Sequence, residues 1–238
     1  SEVTIADVPD TLTVSGDVVP ATALNGNHDA ITTNISVAST NGFAQTGYLR
    51  IDNEYLRYDF IAGNTFFGLQ TRGQLGSAAA AHNDGAQVIP VQPVYGGQTN
   101  ALVQRVTLTA GSGIVSVQRL WLMDMGAPNP VADVAQVRLY DDADASGTVN
   151  TGDVLSGSGI PFAGVNLDAD PNTTGVQSYQ VASGAPRTLL VVYDISPNAG
   201  NGDTLLYSID SGVDVEVAAP DVVAEANFPI TSTLLVVQ

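Results

Sequence analysis

Residues 46 to 91 read TGYLRIDNEYLRYDFIAGNTFFGLQTRGQLGSAAAAHNDGAQVIPV, and their pattern decides the fold class. Apolar and polar side chains alternate through Gly47–Ile51 and again through Glu54–Phe60. A period of two belongs to a strand with one buried face. Ile51-Asp-Asn-Glu54 is a turn between the two strands, and Ala62-Gly-Asn64 is a second turn before Thr65–Leu69. Arg72-Gly73, Gly76, His82 and Gly85 punctuate a stretch that ends in a last strand, Gln87–Val91. These are hairpins, built from β-branched and aromatic runs between Gly, Asn and Asp.

The same punctuation continues in both directions. It predicts strands at Ile31–Ala38, Ala101–Thr109, Val115–Met123, Val134–Tyr140, Val176–Val181, Arg187–Asp194, Thr204–Ile209, Val213–Val217 and Thr231–Val237. No helix is expected. Ala78–Ala81 has helix propensity, but it is short and lies between Gly76 and Gly85. Without βαβ alternation a doubly wound parallel sheet is not expected. The expected fold is all-β in two modules, with a boundary at Pro90–Asn100, where two Pro and two Gly fall. Residues 21–95 form a hairpin-rich domain and residues 96–238 a β-sandwich. Residues 1–20 stand apart as an extended strand interrupted by Pro9, with Val3, Ile5, Leu12, Val14 and Val18 as its apolar positions. That segment reads either as an edge strand of the first domain or as a donor strand that enters a neighbouring subunit.

Composition narrows the function. The 238 residues carry seven Arg, no Lys, 24 carboxylates and a net charge of −17, which argues against nucleic acid and anionic membrane surfaces. No apolar run reaches the ~18 residues of a membrane span, so no membrane insertion is expected. The absence of Cys removes disulfides, thiolate metal sites and thiol catalysis. No nucleophile elbow, zinc-protease helix, phosphate loop or dinucleotide fingerprint occurs. The expectation is a protein without catalytic residues. Ser1 in place of Met fits a removed leader and an extracellular or cell-surface location.

The motif with the most chemical content is Asp142-Ala-Asp144-Ala-Ser146-Gly147-Thr148-Val-Asn150-Thr-Gly-Asp153. Counted from Asp142, side-chain oxygens fall at positions 1, 3, 5, 9 and 12. Gly147 takes position 6, and Thr148 offers its carbonyl from position 7. This is the spacing of an EF-hand calcium loop, in which alternate residues of a tight turn converge on one hard cation. Asp replaces the usual Glu at position 12, as in dockerin-like loops. The expected metal ligands are Asp142, Asp144, Ser146, Thr148, Asn150 and Asp153, with Asp141 as a further candidate and calcium as the cofactor. Asn166-Leu-Asp168-Ala-Asp170-Pro-Asn172 is a weaker acidic stretch that reads as a turn or a second site.

In the hairpin segment Glu54, Arg72 and His82 are the polar residues that stand out. Their expected role is structural, with Arg72 and His82 hydrogen-bonding loop carbonyls and pairing with Glu54; a Glu–His acid–base pair is the competing reading. His28 reads as a turn residue.

Two resemblances add to this. Residues 46–91 resemble a short hairpin module of phage tail-associated and bacterial surface proteins. Val137-Arg-Leu-Tyr-Asp-Asp142, the acidic loop, Thr188-Leu-Leu-Val-Val-Tyr-Asp-Ile195 and Ala199-Gly-Asn-Gly-Asp203 resemble immunoglobulin-like or fibronectin-like sandwiches of bacterial and archaeal extracellular proteins. The resemblance implies a structural or adhesive role. The expected function is a non-enzymatic subunit of an extracellular, pilus-like filament, a head-to-tail homopolymer joined by strand exchange and stabilised by calcium. The alternatives are a monomeric calcium-dependent adhesion module and a phage tail or virion protein.

Overall fold

The computed structural model describes residues 8–69, 71–126, 130–155, 166–169 and 179–238. They are almost entirely β, as the alternation predicts. The helical pieces among them are the four-residue Pro130–Asp133 and the 3-10 turn Gly212–Asp214. No helix among the described residues is long and apolar enough to cross a membrane.

The first hairpin forms where the alternation places it. Gly47–Ile51 and Glu54–Tyr58 pair antiparallel, with Leu49 opposite Leu56 and Ile51 opposite Glu54. The turn between them places Asp52 at φ +52°. Gln87–Val94 pairs on the other side of Gly47–Ile51. The strand expected over residues 54–60 breaks at Asp59, and Phe60–Ala62 pairs instead with Thr65–Phe67 in a small sheet that also holds Ile35–Ser36. Most of residues 31–38, expected as one strand, is therefore loop around a two-residue ladder. The core between these sheets holds Leu49, Ile51, Leu56, Tyr58, Phe66 and Val88. Phe66 packs edge-on against Phe43 at 5.2 Å and Tyr58 at 4.8 Å between ring centroids, a preferred aromatic geometry.

The later strands build two further sheets around one large core. The first has the order Val154–Leu155, Val134–Asp141, Arg187–Ile195, Ala101–Ala110, Thr11–Gly16, Val222–Val223. The second gathers Asn166–Ala169, Tyr179–Ala182, Tyr207–Ile209 and Val215–Val217 along the long strand Ile114–Asp124, with Ile230–Thr231 beyond Tyr207–Ile209. Leu12, Val14, Val106 and Leu108 from the first sheet and Val115, Leu120 and Leu122 from the second bury into the same cluster. Residues 213–217 begin as a 3-10 turn before they become strand. Asn166–Ala169, expected as a turn or ligand segment, is a strand opposite Leu120–Met123. Of the strand expected at 176–181, positions 176–178 lie outside the described residues, as do Asp170, Pro171 and Asn172 of the second acidic stretch.

Both ends of the described chain join the half of the molecule remote from them in sequence. Thr11–Gly16 is not an edge strand of the hairpin half. It pairs antiparallel with Ala101–Ala110 and parallel with Val222–Val223. Leu12 and Val14 are fully buried there. The strand expected at Thr231–Val237 splits, and its second part, Leu234–Val237, pairs parallel with Gln87–Val94. Its side chains alternate between two cores. Leu235 and Val237 enter the sandwich cluster, while Leu234 and Val236 pack with Val91 and the half-buried Tyr48 and Tyr55. The pairing of both ends thus crosses the boundary read at Pro90–Asn100.

Leu235→Ala should lower unfolding free energy by about 2–5 kcal/mol, the usual cost of emptying a closed apolar site. Denaturant unfolding followed by tyrosine fluorescence and by far-UV circular dichroism measures it. Because the C-terminal strand touches both cores, the two probes should shift together.

Candidate functional site

Two polar clusters emerge. The first is a brace beneath the irregular stretch after Thr65–Phe67. Glu54, at the start of its strand, is 1% exposed. Its Oε1 accepts Arg72 Nε at 2.8 Å and the Gly73 N–H at 2.9 Å. Its Oε2 accepts Arg72 Nη2 at 2.7 Å and the Ala80 N–H at 2.9 Å, and lies 2.9 Å from His82 Nε2. Arg72 spends its remaining donors on the carbonyls of Asp29, Thr32 and Ala80. The other nitrogen of His82, Nδ1, meets Asp52 at 2.8 Å. Gly73 sits at φ +70°, with the Ala79 N and the Ser77 carbonyl each 2.7 Å from where a Cβ would stand, so the chain can close over the pair only at glycine.

Burial pushes the Glu54 carboxyl up, but hydrogen bonds from Arg72, Ala80, His82 and Gly73 outweigh it and hold the group below its ordinary value. Every oxygen of Glu54 and every arm of Arg72 is occupied. Arg72 binds loop carbonyls and Glu54, as the structural reading has it. His82 differs in one respect, because its ring binds two carboxylates while its backbone exchanges hydrogen bonds with His28 at 2.8 and 2.9 Å. A Glu54–His82 acid–base pair would need a free face on the carboxylate, and this one is filled from five directions.

The second cluster is the acidic loop that follows Val134–Asp141. One carboxylate oxygen each from Asp142, Asp144 and Asp153 lies within 4.8 Å of the others. Ser146 Oγ donates to the Thr148 carbonyl at 2.9 Å. The Asn150 Nδ2 lies among three of the expected ligand oxygens, 3.0 Å from Asp144 Oδ2, 2.8 Å from Ser146 Oγ and 3.3 Å from the Thr148 carbonyl. All six residues of the spacing argument therefore meet in one small loop. Gly147 is at φ +70°, and a Cβ there would stand 2.5 Å from Arg105 Nη1. The Ser146 hydroxyl, then Asn150, hold the Asp144 carboxyl below its ordinary value. Asp153 Oδ1 is buried without a hydrogen-bond partner.

Asp141 does not join this group. It pairs with Arg187 and accepts the Tyr179 hydroxyl at 2.5 Å, while the Arg187 guanidinium stacks 3.9 Å from the Tyr179 ring centre. The Asp141 carboxylate thus binds Arg187 of its own sheet and Tyr179 of the other, and anchors the strand end from which the loop departs.

Sequence reasoning missed Asp52 and Asp29 as parts of the brace, because a carbonyl and an exposed turn carboxylate carry no motif. It also missed Asp133 and Asp203, which are 70 positions apart in the chain and come together at Gly200 only in the fold. A search of protein-family models finds none that matches this chain, and a search of curated proteins finds none that is similar to it.

Removing one member of a buried ion pair strands the other, at about 3–5 kcal/mol. Arg72→Ala should lose that much in denaturant unfolding. Because the Glu54 carboxyl is depressed in the folded state, its contribution is complete above the ordinary carboxylate range and fades as pH falls through and below it. The stability difference between wild type and Glu54→Gln should therefore shrink on acidification, which urea titrations across that range will measure.

Proposed function

We propose that this protein is a non-enzymatic structural subunit of an extracellular filament at the cell surface, polymerised head to tail by exchange of its N-terminal strand and stiffened by calcium in the loop Asp142–Asp153. The observation that carries the reading is the attachment of Thr11–Gly16. This strand buries Leu12 and Val14 in the sandwich, each contributing roughly 1.5–3 kcal/mol. The chain then leaves along residues 17–21, where Val18 is 91% exposed, to begin the hairpin half. A strand on such a tether makes the same ladder in its own sheet or in a neighbour's. Donation to a neighbour is heterologous and does not close, so it propagates as a fibre. Absent Lys and Cys leave no lysine or disulfide crosslink, so burial, ladder bonds and metal must hold such a polymer.

The calcium part rests on the convergence within the loop. Three carboxylates crowded together repel one another unless a cation sits between them. The amide of Asn150 occupies the point toward which the oxygens face. A cation there would take its place among them, and rotation of that amide would turn Oδ1 inward as a further ligand. The resemblances to extracellular sandwiches and to surface and phage hairpin modules agree with a structural role.

A second reading, the monomeric calcium-dependent surface module, is favoured by one observation. In the isolated chain the strand pairs in cis, and no sheet position next to Ala101–Ala110 is left open.

The two are separated by the cysteine-free background. Thr13 and Thr109 are direct cross-strand partners. Thr13→Cys protein mixed with Thr109→Cys protein should yield disulfide-linked chains on a non-reducing gel, with filaments in negative stain. Peptide 1–19 in excess should suppress both. Monomers without covalent dimers would establish the second reading.

For the metal, chelation should lower the melting temperature. Calcium at one hundred times its Kd should restore about 2.7 kcal/mol. Asp142→Ala with Asp144→Ala should abolish that response while leaving the chain folded.

A further inference from the structure

Asp133, the last residue of the short helix Pro130–Asp133, is 2% exposed. Its backbone carbonyl accepts the Ser196 N–H at 2.7 Å, and its Oδ1 accepts the Gly200 N–H at 2.9 Å. Its Oδ2 is buried with no hydrogen-bond donor. At the far end of the same loop, Asp203 brings its carboxyl against Gly200, the residue whose N–H binds Asp133. Gly200 makes room for this approach, since a Cβ there would stand 2.2 Å from Asp203 Oδ2. Burial first, and the charge of Asp133 next, hold the Asp203 carboxyl above its ordinary value.

A buried carboxylate with a single donor and a second carboxylate beside it must be neutralised. No cationic side chain does this. The chain has no Lys, and its seven Arg are committed elsewhere. Six pair with Asp59, Glu54, Asp17, Glu216, Asp194 and Asp141, and the seventh, Arg50, binds the Asp52 carbonyl. Both His lie in the hairpin half.

We propose that Asp133 and Asp203 together hold one divalent, oxygen-seeking cation of the calcium class, with water completing its shell. Oxygen-only donors suit such an ion. Its position gives it a mechanical role. Asp133 leads into Val134–Asp141 of the six-stranded sheet, and Asp203 leads into Thr204–Leu205, which pairs with the C-terminal strand. The Asp203 carbonyl itself accepts the Val237 N–H at 2.9 Å, and Val237 returns its carbonyl to the Gly202 N–H at 2.9 Å. The ion ties the sandwich to the strand that enters the hairpin half. This site stands independently of the Asp142–Asp153 loop.

The test uses the full chain carrying Asp142→Ala and Asp144→Ala, so that the loop contributes no signal. Equilibrium dialysis against calcium should still find one ion per chain, and calcium should raise the melting temperature. Adding Asp203→Asn, a partly exposed position where folding is retained, should abolish both effects; Asp133→Asn should do the same. Absence of bound calcium in the loop variant at millimolar calcium would overturn the proposal. So would calcium retained by a folded Asp203→Asn chain. A metal-free protein that gains stability as pH falls, with no response to calcium, would assign a shared proton to the pair in place of a cation.

Discussion

A strand inside a sheet must have its N–H and C=O groups paired on both sides, and in this molecule the chain ends meet that demand for the opposite halves. Gln87–Val94 has Gly47–Ile51 on one side and the C-terminal Leu234–Val237 on the other. Ala101–Ala110 has Arg187–Ile195 on one side and Thr11–Gly16 on the other. Take either end away and a long ladder lies open, with apolar pockets beside it. An open ladder is a template for another chain. The structural role proposed for the protein grows from this arrangement, because what an end supplies in cis a neighbour's end can supply in trans.

Charge is the second constraint. With 24 carboxylates, seven Arg and no Lys, positive partners are scarce. Arg72 goes to the most demanding position, the buried Glu54, where one guanidinium closes a loop of little regular structure by holding three carbonyls and a carboxylate at once. Arg187 straightens Asp141 at the mouth of the acidic loop. Among the carboxylates without an Arg, Asp142, Asp144 and Asp153 come together in the acidic loop, and Asp133 and Asp203 come together at Gly200. Like charges held close together favour a counter-charge between them, and the cation sites proposed for both places rest on that.

The β-class was legible in residues 46–91 because the side-chain period there is two and the turn residues fall where the alternation stops. The acidic loop was legible because all its oxygen-bearing side chains lie within twelve consecutive positions, so spacing alone brings them together. The Glu54–Arg72 pairing was legible in part. A charged residue at a buried phase of a strand needs a partner, and Arg72 was the nearest candidate after the turns.

The rest was decided in three dimensions. Nothing in Leu234–Val237 distinguishes a sandwich strand from one that joins the hairpin sheet, because four consecutive apolar residues have no polar face to set a side. Only packing on two cores at once explains why all four are buried. Thr11–Gly16 shows its alternation in sequence but not its partner, since register and neighbour come from the surface it meets. Asp133 and Asp203 have no motif, because their meeting depends on the path of the chain between them. Local period and local spacing determined what each segment of this protein is, and long-range burial decided where it goes.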